Sequence, residues 1–451
     1  MRLHSGIGSA AAAAGRVRSG AGSMLALALA VTAAGCDSRV TGVLAPYPAP
    51  VSGTSEVEIL AATTRRPDEQ KPALMFSGER GNQLSFAEIV VSIPPDHNRK
   101  EGEVQWPKRL PGDPMRDFVT VNSTYVDRDT VIREFHKKVA RTQGRHVLVF
   151  VHGYNNRFED AVYRFAQIVH DSGASVVPVL FTWPSRGKTM AYGYDRESTN
   201  YSRDALEALL TYLDRDKSVS EISILAHSMG NWLTLESLRQ MAIRNGHILG
   251  KIHDVMLAAP DVDIDVFRTQ VAAFGEPRPR FTVFVSQKDK ALKISRRVWG
   301  STVRLGAIDP NDPRYREQLA EEGLMVVDLT NERTEDRMNH STFAESPEAV
   351  HLIGAQLAKG QDLNTYEASV GDKVNEFSIN AGASIGSAAG LLISAPVAVF
   401  DGDSRDTYSD RITDFNQSIE DALAVDADGA ESAGTPEKTT GDAEKPTISG
   451  Q

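Results

Sequence analysis

Residues 221–241 constrain the fold more than any other stretch of the chain. An apolar run (Ile222, Ile224, Leu225) closes on Ala226-His227-Ser228-Met229-Gly230. Apolar residues at helical spacing follow at once: Trp232, Leu233, Leu235, Leu238 and Met241. A strand, a sharp turn with a serine at its centre and a helix form the setting of a nucleophilic serine. The turn lifts the hydroxyl above the edge of a sheet. It also turns the first N–H groups of the helix toward whatever sits on that hydroxyl. Strand and helix pass close together there, so small residues are needed two before and two after the serine. Gly230 meets this fully, and Ala226 stands where glycine is more usual.

A strand feeding directly into a helix predicts a mostly parallel sheet, and the flanking sequence repeats the pattern. Residues 146–151 (HVLVFV) are apolar throughout, as a strand buried on both faces requires. A helix is expected around 158–169, then a strand over 176–181 ending at Trp183-Pro184-Ser185, then a helix over 202–213. After the serine turn, strands are expected over 254–259, 281–286 and 324–329, and a helix over 347–357. Upstream, strands are expected at 57–62, 88–93 and 118–121. Helical spacing appears at Val131, Phe135 and Val139. Such alternation gives an α/β fold: a mostly parallel central sheet with helices on both faces. Ligands bind beyond the carboxyl ends of its strands. His152, Trp183, Ser228, Asp261, Asp289 and His340 all follow strand ends. Trp183, Met190, Tyr192 and Tyr194 are candidates for lining an apolar pocket, or for plain packing.

The ends of the chain read differently from its middle. Arg16 and Arg18 precede an apolar run at 24–31, followed by Ala33-Ala34-Gly35-Cys36. This is the layout of a secretory signal, 1–35, and resembles the lipobox of bacterial lipoproteins, in which the cysteine is lipidated. Cys36 is the sole cysteine, which excludes an internal disulfide. Residues 36–56, rich in proline, glycine and serine, are expected to be a flexible tether. The hydrolase-like alternation is expected over 57–360. Residues 361–400 form an extension whose run at 377–400 has no charge and places Gly382, Gly386 and Gly390 at four-residue spacing. That run is expected to be a flexible connector, a membrane-associated helix or a segment docked on the hydrolase body. The tail, 401–451, is acidic and expected to be disordered. It carries nine of the eleven net negative charges, so the body is near neutral and offers no basic stripe for nucleic acid.

A serine hydroxyl needs a base within hydrogen-bond reach and a carboxylate behind that base. Around a turn of this kind the order along the chain is serine, acid, histidine. Of His247, His253, His340 and His351, only His340 falls in a loop after an expected strand at the right end of the sheet. Asp289 follows the strand before it and is the favoured acid; Asp261 is the alternative. His152-Gly153 follows the strand at 146–151, and its glycine lets the chain bend. The backbone N–H groups of Tyr154 and Met229 are therefore the expected oxyanion donors. His152 precedes the serine and reads as a structural hydrogen-bonding residue.

These motifs together resemble a bacterial family of lipase- and esterase-like α/β-hydrolases of unknown function. The stretches concerned are ATTR at 62–65, VSIPP at 91–95, VFVHGYNNRF at 149–158 and FTWPS at 181–185. They continue with AHSMGNWL at 226–233, LAAPDVD at 257–263, SQKDKAL at 286–292 and NHSTF at 339–343. The resemblance runs from about residue 57 to about 357. It implies the α/β-hydrolase fold and Ser228, Asp289 and His340 as a triad. The expected reaction is hydrolysis of a small-molecule or lipid-borne carboxylic ester or thioester, with no cofactor and no metal. A peptidase or amidase, and a non-catalytic envelope scaffold, are the alternatives. The expected location is the bacterial cell envelope, lipid-anchored through Cys36, with a soluble secreted or periplasmic form as the alternative. Nothing in the sequence sets the oligomeric state.

Overall fold

The computed structural model describes residues 40–298, 302–315, 319 and 323–358. Three strands at one edge of the sheet run antiparallel to their neighbours in turn: β1 (Ser55–Pro67), β2 (Phe76–Ile93) and β3 (Val119–Val126). Helix α1 (Arg128–Arg141) leads to β4 (His146–Val151), and α2 (Phe158–Ser172) to β5 (Val177–Thr182). Then follow α3 (Tyr192–Arg215), β6 (Glu221–His227), α4 (Met229–Asn245), β7 (Ile252–Ala258), α5 (Ile264–Ala272) and β8 (Arg280–Val285). Helix α6 (Lys290–Val298), β9 (Met325–Asp328), α7 (Thr342–Glu345) and α8 (Pro347–Ala358) complete the described chain. The sheet order is β3-β2-β1-β5-β4-β6-β7-β8-β9, parallel from β1 across to β9. This is the mostly parallel α/β sheet that the alternation predicts, and the α/β-hydrolase fold that the resemblance implies.

The strand composition explains the layering. Every residue of β4 and β5 is buried, and β6 is buried up to Ala226. Each valine, isoleucine or leucine fully buried there contributes roughly 1.5–3 kcal/mol relative to exposure. Helix α4 covers these strands with Leu233, Leu235, Leu238 and Met241, all at 0% exposure, the face its helical spacing sets out. Parallel register then brings the strand ends into line: Val151 pairs with Ala226, and His227 with Ala258. The loops after β4, β6, β7 and β8 therefore open on one edge.

Several boundaries differ from the sequence reading. The tether expected over 36–56 is docked on the body from Gly42. The amides of Gly42 and Val43 donate to Glu159 Oε2 at 2.8 and 3.2 Å. Val43 and Leu44 are buried, and their carbonyls accept from Thr120, Tyr163 and Ser123. A small-residue composition hides this because two apolar side chains and one buried carboxylate suffice to hold it. The folded body accordingly begins before residue 57. Strand β2 is three times as long as expected, since its first half is polar and half-exposed. Helix α3 starts ten residues early, because its first turns bury Asp195, Ser198 and Thr199 in place of an apolar stripe. Helices α5 and α6 were not anticipated. The segment 1–35, Cys36, the extension 361–400 and the tail 401–451 lie outside the described residues. Among the described residues, no helix is long and apolar enough to cross a membrane.

Candidate active site

The turn after β6 holds Ser228 at φ 53° and ψ −120°, a conformation that L-residues rarely adopt. Backbone of this kind costs about 1–3 kcal/mol and persists only where its surroundings over-determine it. Here they do. The Ser228 amide donates to the Ala258 carbonyl at 2.9 Å. The Ser228 carbonyl accepts from the Asn231 amide, the Asn231 side chain and the Asp261 amide at 3.1, 3.0 and 3.3 Å. Asn231 Nδ2 also reaches the Ala258 carbonyl at 2.9 Å, bridging both ends of the turn. Two glycines allow the close approach. A Cβ on Gly230 would press into the His152 carbonyl and lie 2.7 Å from the Val151 carbonyl. A Cβ on Gly153 would lie 2.8 Å from His227 Nδ1 and 2.9 Å from Ser228 Cβ. The other positive-φ residues near this edge, Asn155, Ala259 and Asn339, all sit in loops that meet Ser228 or His340.

His340 lies directly over the serine. The Ser228 hydroxyl donates to His340 Nε2 at 2.7 Å, and His340 Nδ1–H donates to Asp289 Oδ2 at 2.6 Å. Burial pulls the imidazole toward neutrality. The charge and hydrogen bond of Asp289 outweigh it and leave His340 above the usual histidine range. Asp289 is fully buried, and its other oxygen accepts the Leu292 amide at 2.9 Å at the start of α6. Asp261, the alternative acid, is placed elsewhere. Its carboxylate accepts from Ser295 at 2.6 Å and Tyr192 at 2.7 Å, with Arg304 Nε at 3.3 Å. Those three partners take up the carboxylate, and it makes no hydrogen bond to His340.

The loop carrying His340 is held by residues with no sequence signal of their own. Asp336 accepts the amides of Met338, His340 and Ser341 at 2.8, 2.8 and 3.0 Å. Burial raises the Asp336 carboxyl, but these backbone donors prevail and hold it below the usual carboxylate range. His227 Nε2–H donates to the His340 carbonyl at 3.1 Å, and its ring lies 4.8 Å from that of His340. Burial, then the neighbouring His340, push His227 well below the ordinary histidine pKa, so it is neutral. The signal for His227 was its place one residue before the serine.

Facing this loop, Gly153 and Tyr154 pass beside the serine turn. Neither the Tyr154 nor the Met229 amide donates to a protein acceptor among the described residues, which leaves both free for a ligand oxygen. The loop behind them is fixed from below. His152 Nδ1–H donates to the Gly153 carbonyl at 2.8 Å, and His152 Nε2 accepts the Trp183 amide at 3.1 Å. The Trp183 ring stacks on His152 at 4.8 Å and donates to its carbonyl at 2.8 Å. Burial, then Arg65, keep His152 well below its ordinary pKa, a structural role as expected. Arg65 donates to the Asn156 carbonyl at 2.9 Å. Ser185 joins the Asn156 amide at 3.1 Å to Asp195 at 2.6 Å. The four residues considered for an apolar pocket do not form one. Trp183 is buried against His152, Met190 is 93% exposed, Tyr192 serves Asp261, and Tyr194 lies 3.6 Å under Arg186.

Residues 127–356 match the family described as alpha/beta hydrolase of unknown function (DUF900). The uncharacterized protein alr1448 of Nostoc sp. (strain PCC 7120) is 28% identical over 138 residues, 25% of this chain and 35% of that protein. The chain thus matches about a third of that relative's length. A structure from a study of two fungal esterases from Rhizomucor miehei aligns with 67% of this chain and 83% of its own, at 14% identity and a TM-score of 0.27.

Proposed function

The chain belongs to the alpha/beta hydrolase family of unknown function (DUF900), and from that premise we propose that it is a serine hydrolase of carboxylic esters or thioesters. One observation carries the reading: an unbroken hydrogen-bonded line from Ser228 through His340 to Asp289, at 2.7 and 2.6 Å, on a strained turn. Ser228 Oγ attacks the substrate carbonyl as His340 Nε2 takes its proton. The oxyanion forms against the amides of Met229 and Tyr154. His340 then gives the proton to the leaving alcohol or thiol, and an acyl group remains on Ser228. Water attacks that acyl group with His340 as base, and Ser228 regains its proton as the acid departs. Asp289 orients His340 and stabilises its charged form throughout.

The same line of groups cleaves amides, so a panel decides the leaving group. The purified full chain is assayed on acyl esters and thioesters of graded length and on peptide anilides. Turnover of the esters is expected. Turnover of anilides alone would make it a peptidase, and turnover of neither would leave a scaffold. We further propose that the protein is held at a membrane by lipid on Cys36, on the strength of the Ala33-Ala34-Gly35-Cys36 pattern. Cys36→Ala is expected to lose acyl labelling and move to the soluble fraction. Unchanged labelling would rule the anchor out.

A further inference from the structure

Of the large apolar side chains exposed among the described residues, two stand beside the serine site. Met190 is 93% exposed, on the turn that leads into α3. Ile294 is 50% exposed, in the middle of α6. Hydrogen bonds tie both places to the site. The Tyr154 hydroxyl donates to the carbonyl of Thr189, the residue before Met190. The Tyr192 hydroxyl, two residues after Met190, lies 3.3 Å from Ser295 Oγ, next to Ile294. Asp289, which bonds His340, immediately precedes α6.

Charge here has one sign. Lys288, Lys290, Lys293, Arg296 and Arg297 are all exposed, and the acid among them, Asp289, is fully buried. Leu292 and Ser295 are the buried positions of α6. Ile294 therefore lies on its outer face, with Lys290 four residues before it and Arg297 three after it as neighbours. Lys290, Lys293 and Arg297 enter no ion pair among the described residues, and Lys290 Nζ donates to the Arg337 carbonyl at 2.8 Å. The nearby carboxylates are taken, Asp289 by His340 and Asp261 by Arg304. Lys188 adds a further exposed cation two residues before Met190. The body as a whole is near neutral, so the excess is local.

An apolar side chain ringed by lysine and arginine suits an anionic bilayer. The apolar group enters the headgroup boundary and the cations meet lipid phosphates. A nucleic acid would also meet the cations, but it offers Met190 and Ile294 no apolar medium. We propose that α6 and the turn at 188–190 form a face that rests on a bilayer containing anionic lipid. Met190 and Ile294 enter the headgroup region, and Lys188, Lys290, Lys293 and Arg297 meet the phosphates. Thr189 and Asp289 join this face to Tyr154 and His340, so the serine site stands at the lipid surface, where lipid-borne esters are presented. That presentation rests on the hydrolase reading, whereas the binding does not.

The test is flotation of the full chain carrying Cys36→Ala, which removes any acyl group at that cysteine. The vesicles are phosphatidylcholine alone, or equal parts phosphatidylcholine and phosphatidylglycerol. Binding to the anionic vesicles alone is expected, weakening as salt rises. Lys293→Ala/Arg297→Ala should lower the partition coefficient about tenfold to thirtyfold. Met190→Ser/Ile294→Ser should lower it about tenfold. Both variants should keep the parent's circular dichroism and its turnover of a soluble ester. Ser228→Ala should float like its parent, which keeps a failure of the serine mechanism apart from a failure here. Loss of flotation in Lys293→Ala/Arg297→Ala alone would reduce the face to a polyanion surface and overturn the bilayer. Absence of flotation with anionic vesicles, or equal flotation by every variant, would overturn it too.

Discussion

The two loops that meet over Ser228 are held by opposite means. The loop 152–156 rests on buried polar groups: His152, Arg65, Ser185 and Asp195 are exposed by no more than 1%. The loop 336–341 is half-exposed along its length. It hangs on the Asp336 carboxylate, the His227 ring and a bond from the Lys290 amide to the Met338 carbonyl at 2.8 Å. The division fits the chemistry proposed for each loop. Oxyanion donors act through fixed direction and gain from a rigid, desolvated bed. A base must change charge in each cycle, so its loop relies on a carboxylate able to stabilise that change. Local opening is expected to be easier where contacts are fewer and more exposed.

The largest effect that separates the two sides is expected from Asp289→Asn. An amide can hold His340 in the wrong tautomer, and turnover should fall about 10⁴-fold. Neutral His340 is the proposed base, so kcat/KM is expected to rise as pH climbs through its raised pKa. Without Asp289 that pKa drops, and the acid limb of the pH profile should move to lower pH. An unmoved limb would detach Asp289 from the base.

Gly153→Ala attacks the other side. Its methyl group meets His227 and Ser228 and displaces the Tyr154 amide, for an expected loss of about 10²–10³ in kcat. The acid limb should stay in place, because the His340–Asp289 pair is untouched. A limb shifted as in Asp289→Asn would merge the two sides into one.

Asp336→Ala leaves three amides of the histidine loop without their acceptor. Kinetics should show a loss of about tenfold to a hundredfold, matching 1–3 kcal/mol for unmet donors. Hydrogen exchange in that loop should rise while exchange at 152–156 stays slow. The smallest effect is expected from Asp261→Asn, within about tenfold, since its partners Tyr192, Ser295 and Arg304 lie beside the site rather than in the proton path. Equal damage from Asp261→Asn and Asp289→Asn would reopen the choice of acid.

The sequence made the hydrogen-bonded line of Ser228, His340 and Asp289 legible because each member follows a strand that announces itself by an apolar run. Ser228 also has the helix behind it, and a place after an expected strand at the right end of the sheet set His340 apart from His247, His253 and His351. The supports were not legible for an equally physical reason. Asp336 acts on backbone amides, and Arg65 on carbonyls, and backbone partners leave no pattern in the residue string. Helix α6 escaped notice because it is short and four of its nine residues are charged, with Leu292 at 1% exposure. The docked segment at 42–47 escaped for its composition: proline and glycine signal a turn whether or not a neighbouring Val43 and Leu44 are buried.

The most direct test of the central claim is intact-mass and peptide mass spectrometry after treatment with a fluorophosphonate. The account predicts one adduct, located on Ser228, whose rate rises with pH through the titration of His340. It should vanish in Ser228→Ala while circular dichroism stays unchanged. A folded wild-type chain that takes no adduct, or a Ser228→Ala variant that is labelled as fast as the wild type, would contradict it.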